Sequence, residues 1–152
     1  MTPFALSARV YWEDTDGGGV VYHANYLKFL ERARTEWLRA QGHSQQELAR
    51  EHGILFAVTR MEIVFRRPAR LDDALTVTCE PKRAGAASLS FLQRVLRESA
   101  SATAVAARAG DEEENLIASA TVRIACVDAQ TFRPQRLPEW LISVPGTDEE
   151  PA

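Results

Sequence analysis

The chain has 152 residues, 45% of them hydrophobic and 26% charged, with a formal net charge of −3. That length suits one domain with a real core and excludes two comfortable ones, while the acidic balance opposes a dominant role on nucleic acid, which shows as a basic surplus. The N-terminus Met-Thr-Pro-Phe-Ala-Leu-Ser lacks the features of a signal peptide, and no uninterrupted apolar run approaches about 18 residues, so a cytoplasmic protein without membrane insertion is expected.

Phe4 to Trp12 reads as a first strand that ends at about Glu13, where an acidic and glycine-rich loop begins. A helix is predicted from Ala24 to Gln41. Tyr26, Phe29, Leu30, Ala33 and Trp37 form one stripe, widened by Leu27 and Leu38, while Glu31, Arg32, Arg34, Glu36 and Arg39 supply the wet side. Gly42 reads as the stop, and Ser44 with Glu47 makes a capping box for a short second helix ending near Gly53. From Ile54 the period changes to two, with Ala57, Thr59, Met61, Ile63 and Phe65 on one face and Arg60, Glu62 and Arg66 on the other.

Pro68 and Asp72-Asp73 mark a turn, after which Leu75, Val77 and Cys79 alternate with Thr76, Thr78 and Glu80. Pro81 either ends that strand or puts it at an edge. Ser88 to Arg97 and Leu116 to Val127 give two more strands. The intervening Glu98 to Asn115, rich in Ala, Ser and acids, reads as a mobile solvated hairpin loop. A domain over residues 1–142 is expected, followed by a disordered acidic and proline-containing tail at 143–152.

One long helix cannot cover both faces of a sheet of about five strands, so the economical α+β arrangement is a curved antiparallel sheet wrapped around it. The uncovered edge then argues for a symmetric homo-oligomer. Cys79 and Cys126 fall in alternating runs and fit two buried thiols in a reducing compartment. His43 and His52 match no common zinc pair and read as surface residues, so neither metal nor cofactor is expected.

Residues 13–26, Glu-Asp-Thr-Asp-Gly-Gly-Gly-Val-Val-Tyr-His-Ala-Asn-Tyr, carry the functional signal. Asp16 precedes Gly17, Gly18 and Gly19, where the backbone can bend tightly and a substrate can approach. The helix start beyond offers N–H groups with no intrahelical partner, suited to an anion or a developing oxyanion. By residue type alone Asp14 and Asp16 are also ordinary turn acids, and Asp14 is assigned to holding loop donors.

The run Arg9 to Asp16, then Gly19-Val20-Val21-Tyr22-His23-Ala24-Asn25-Tyr26 and Glu31-Arg32-Ala33-Arg34-Thr35-Glu36, resembles the hotdog-fold acyl-CoA thioesterases. Within them it is most similar to the Tol-Pal-associated branch of the 4-hydroxybenzoyl-CoA thioesterase family. Further matches are Pro68 to Asp73, Ser88-Leu89 with Phe91 and Gln93-Arg94, and Cys126-Val127-Asp128. The resemblance implies a five-stranded antiparallel sheet around the long helix, dimers with interfacial sites, and a homotetramer built as a dimer of dimers.

It also implies acyl-CoA hydrolysis with Asp16 as nucleophile or general base and the His23 amide polarising the thioester carbonyl. Gly19, Tyr22 and the His23 side chain line that site. Tyr26 is placed near the acyl group, and Lys82 and Arg83 near the CoA phosphates. Acyl carrier protein is an alternative acyl donor or partner. A hotdog dehydratase and a non-hydrolytic scaffold binding acyl-CoA or acyl carrier protein are the competing functions.

Overall fold

The computed structural model describes residues 3–98 and 113–142. The greater part of the expected 98–115 loop and the whole 143–152 tail lie outside them. Strands β1 (Phe4–Arg9), β2 (Ile54–Phe65), β3 (Ala74–Gly85), β4 (Ser88–Arg97) and β5 (Leu116–Asp128) form one sheet in the order β1-β3-β4-β5-β2. Every neighbouring pair is antiparallel. Helices α1 (Asn25–Ala40), α2 (Gln45–His52) and α3 (Glu139–Ile142) accompany the sheet. No described helix is long and apolar enough to cross a membrane.

Helix α1 lies on one face of the sheet against β1 and β3, and α2 lies against β2. Its buried stripe is Tyr26, Phe29, Leu30, Ala33, Trp37 and Leu38. These meet Leu75 and Val77 of β3, Phe91 and Val95 of β4 and Val122 of β5 in a single core, where Trp37 sets its edge on Phe91 at 5.3 Å. The helix begins without a side-chain cap, since Ala24 holds the N-cap position. A cap is worth about 1 kcal/mol, whereas each large apolar side chain fully buried contributes roughly 2 kcal/mol, so packing decides that this helix forms.

Several expectations hold in detail. Ser44 Oγ accepts the Glu47 N–H at 3.1 Å, Gly53 closes α2 at φ 66°, and Gly42, at φ 92°, stops the helix before it. Cys79 and Cys126 are both buried and free. Burial pushes their thiols up, to about 12 and about 11 respectively. Pro81 does not end β3. It pairs with Phe91 of β4 beyond Cys79, the residue opposite Phe4 where β1 begins, so its missing N–H falls on a locally free edge.

Four expectations are corrected. The first strand stops at Arg9, because the Asp14 carboxylate captures the Tyr11 N–H and curls Trp12–Asp14 into a short 3₁₀ turn. The single inward face read for β2 is broken by a bulge: Val58 pairs Ile124 and Arg60 pairs Arg123, leaving Thr59 as an extra residue. Upstream, Ile54 is buried and Phe56 and Val58 line a cavity over the sheet, whereas downstream Met61 and Ile63 turn to the core. Leu27 is 41% exposed and does not widen the helix stripe. His43 is half-buried instead of lying on the surface, stacked on Trp140 of α3 with ring centroids 3.7 Å apart.

Candidate active site

The acidic loop is built as a small closed hairpin. Thr15 bridges Val21, the Asp16 N–H donates to Val20 O at 2.8 Å, and the Gly19 N–H donates back to Asp16 O at 3.1 Å. Gly19 alone of the three glycines takes positive φ, at 77°. Gly18 is needed for another reason, since its N–H donates to Asp16 Oδ1 at 2.8 Å and a Cβ there would stand 3.2 Å from that oxygen. Asp16 is thus held by a short backbone contact with its carboxylate exposed.

Asp14, two residues earlier, is the opposite case. It is 9% exposed, its Oδ2 accepts the Tyr11 N–H at 2.8 Å, and its carbonyl accepts the Tyr22 N–H at 2.9 Å and Asn25 Nδ2 at 3.0 Å. The scaffold role read for it from the sequence is the one it plays.

The far side of the loop is tied to the segment after β2. Val20 bridges Arg70, the Val21 N–H donates to Ala69 O at 2.8 Å, and the Ala69 N–H donates to Tyr26 Oη at 3.0 Å. Ala69 is therefore gripped at both ends of its backbone. Tyr26 is 3% exposed, and burial raises its phenol above its ordinary value, opposed by the Ala69 bond. Its ring leans on Phe65 at 5.5 Å. Within one chain it holds the floor of the loop and offers little open surface.

His23 sits just before the N-cap of α1, beside Tyr22, with ring centroids 4.6 Å apart. Tyr22 is 46% exposed. The Tyr22 and Asn25 N–H groups are used internally, by Asp14 O and Tyr22 O, whereas among the described residues those of His23 and Ala24 find no acceptor. Two adjacent main-chain donors at a helix start suit an oxygen that gains negative charge. Sequence reasoning found His23 but not Ala24, and no residue type in this run signals the second donor.

Lys82 and Arg83 lie elsewhere. β1 meets β3 with Arg9 opposite Ala74, so Lys82 stands eight residues further along β3, roughly 26 Å from the loop end of the sheet. One chain does not bring these cations to Asp16. Two of the cavities among the described residues flank α1. A cleft of about 430 Å³ beside β1 is lined by Leu6, Tyr11, Asp14 and Arg32 among others, and a smaller cavity of about 120 Å³ lies under the second half of α1. Neither is lined by Asp16 or His23, so one chain presents the acid and the amides as an open surface. On α2, Glu47, Glu51 and His52 bring ligand atoms within 4.8 Å of one another, but a group so largely exposed reads as a solvated helix face.

The family description that matches this chain is the thioesterase-like superfamily, over residues 10–144. The acyl-CoA thioester hydrolase YbgC of Escherichia coli is 40% identical over 142 residues, covering 93% of this chain and 95% of that protein. The acyl-CoA thioesterase YbgC of Haemophilus influenzae is 40% identical over 136 residues, covering 90% and 89%. The crystal structure of a 1,4-dihydroxy-2-naphthoyl-CoA thioesterase from Synechocystis superposes with a TM-score of 0.77, covering 92% of this chain and 93% of that one; at 23% identity it shows the common fold.

Proposed function

Because this chain belongs to the thioesterase-like superfamily, we propose that it hydrolyses an acyl-CoA thioester to free acid and CoA, with Asp16 and the His23 amide as the working groups. The observation that carries this reading is the pair of unclaimed N–H groups at His23 and Ala24, next to a loop that fixes an exposed carboxylate. The thioester oxygen takes the donors, each worth roughly 3–4 kcal/mol of transition-state stabilisation. Asp16 then either removes a proton from attacking water or attacks the carbonyl carbon itself, giving an anhydride that water opens. On both routes the C–S bond breaks and CoA leaves as its thiolate.

Gly19 and Tyr22 flank the acyl carbonyl in this scheme, and Tyr26 acts through Ala69 as a positioning residue. The open site calls for a second surface. Strand β2 is a sheet edge carrying exposed Val58, Val64 and Phe65, and Phe65 touches Tyr26 below the loop. Pairing of two copies along this edge closes the site and forms a dimer, and two dimers make the tetramer. In this scheme Lys82 and Arg83, far from Asp16 within one chain, meet the CoA phosphates from another protomer. A cytoplasmic location in the Tol-Pal-associated branch, with acyl carrier protein as a second acyl donor, belongs to the same proposal.

Thiol release from short aliphatic, long aliphatic and aromatic acyl-CoAs tests it. Release well above the spontaneous rate for at least one class is expected. Binding without release across the panel would leave a non-hydrolytic scaffold, and an acyl product altered without thiol release would point to a dehydratase.

A further inference from the structure

Asn25 is the first residue of α1, and its side chain does not serve the helix. An Asn that caps a helix stands one place earlier and accepts an N–H of the first turn, but that place belongs to Ala24 and no side-chain cap forms. Asn is also a poor residue within a helix. Here its Nδ2 reaches back eleven residues and donates to Asp14 O at 3.0 Å. A carbonyl oxygen only accepts, so the amide nitrogen must face it and the orientation of the side chain is fixed.

That oxygen is a junction. It also accepts the Tyr22 N–H at 2.9 Å, which uses its second lone pair, while the Asn25 N–H donates to Tyr22 O at 2.8 Å. Residues 22–25 therefore form a closed turn whose ends are tied to one atom and to each other. Between those ends lie His23 and Ala24, both exposed, whose N–H groups have no acceptor among the described residues. The Tyr22 N–H ties the turn on the loop side, and the Asn25 side chain ties it on the helix side.

Asp14 is a firm base for this junction, since it is buried and its carboxylate holds the Tyr11 N–H at 2.8 Å. The chain runs on through Thr15 to Asp16, whose carboxylate is held by the Gly18 N–H at 2.8 Å. Asp14 thus carries the acid two residues onward and the donor turn on its own carbonyl, so the spacing between Asp16 and the two N–H groups is set through that oxygen. Loss of the Asn25 amide leaves the Tyr22 bond in place and the loop attached, but frees the helix start to move relative to the acid. A displacement of about 1 Å between reacting groups can lower a rate by about 10²-fold.

We propose that Asn25 is a positioning residue: through Asp14 O it holds the His23 and Ala24 N–H groups at the spacing from Asp16 that attack on a thioester carbonyl requires. This rests on the hydrolase reading and adds a residue to its machinery. Asn25→Ala and Asn25→Asp both remove the donor, the second at nearly constant shape. On the acyl-CoA that wild type turns over fastest, kcat per folded molecule should fall by about 10²-fold with KM little changed. Tm should fall by only about 2–4 °C, the effect of one hydrogen bond in a chain of this size. Asn25→Gln keeps an amide donor on a longer stem and should recover part of the loss.

An acyl-CoA analogue with a methylene in place of the thioester sulfur, isotope-labelled at its carbonyl, gives an infrared readout that needs no turnover. Bound to wild type, the carbonyl should stretch at lower frequency than in the free analogue, because two aligned main-chain donors polarise it. The shift should shrink in both Asn25 variants and survive in Asp16→Asn; where Asn25→Ala fails to fold, Asn25→Asp carries the comparison. Near-native kcat per folded molecule, or an undiminished carbonyl shift, would overturn the assignment. A shift lost with the Asn25 amide but no thiol release by wild type would sink the hydrolase reading alone, whereas thiol release that the Asn25 variants retain would sink this one alone.

Discussion

The two ends of α1 use polar groups in opposite ways. At its start, Asp14, Tyr26 and Ala69 spend their donors and acceptors on fixing the backbone, and the groups left over are an exposed carboxylate and two N–H groups with no acceptor among the described residues. Under its second half the surroundings are apolar, and the polar Arg34 and Gln93 stand out against Trp37 and Phe91. The first end suits chemistry performed by main-chain donors, which need no side-chain reorganisation; the second holds a buried amide and a half-buried cation inside the packing. Chemistry and packing are therefore separable by mutation.

The interior carries the largest predicted effect. Cys79 has its folded-state thiol raised to about 12 from an ordinary 9.0, so above pH 9 the unfolded chain releases a proton that the folded one keeps. Stability from this group is complete below pH 9 and falls as pH rises towards 12, by roughly 4 kcal/mol in all. Urea melts of wild type and Cys79→Ala across that range should show the variant less stable at pH 8 but with a shallower alkaline decline. Parallel declines would mean that the thiol is accessible to solvent.

Asp14→Ala comes next, with a predicted loss of about 2 kcal/mol from removing a charged acceptor for the Tyr11 N–H. Turnover per folded molecule should change less than stability; the reverse would merge the roles of the two acids. Tyr26→Phe should cost about 1–2 kcal/mol by stranding the buried Ala69 N–H, and should loosen the loop, read as faster amide exchange at Val21. Gly19→Ala meets no neighbour within 4 Å, so its cost is backbone strain alone, about 1 kcal/mol, visible as a small drop in Tm.

Most of the fold is legible in the residues, because α1 and four strands each carry a clean period and Ser44, Gly42 and Gly53 punctuate them. Thr59 is not, since a bulge leaves good alternation on both sides and changes only its phase. Nor is the early end of β1, where Val10, Tyr11 and Trp12 have strand-like side chains and the Asp14 carboxylate decides otherwise. In the candidate site the sequence distinguishes Asp14 from Asp16 only with the help of a family resemblance, as both are acids before glycines. Arg34 was hidden by its type: it lies four residues from Leu30 and three from Trp37, at the border of the buried stripe, where a long cation usually reaches water.

The central claim is that Asp16 supplies the chemistry and the fold does not depend on it. Thiol release by Asp16→Asn on the best acyl-CoA, measured beside its melting curve and oligomeric state, tests that most directly. The account predicts a fall in kcat of about 10²–10⁴ with Tm and assembly close to wild type. Near-native turnover, or a loss explained by unfolding, would contradict it.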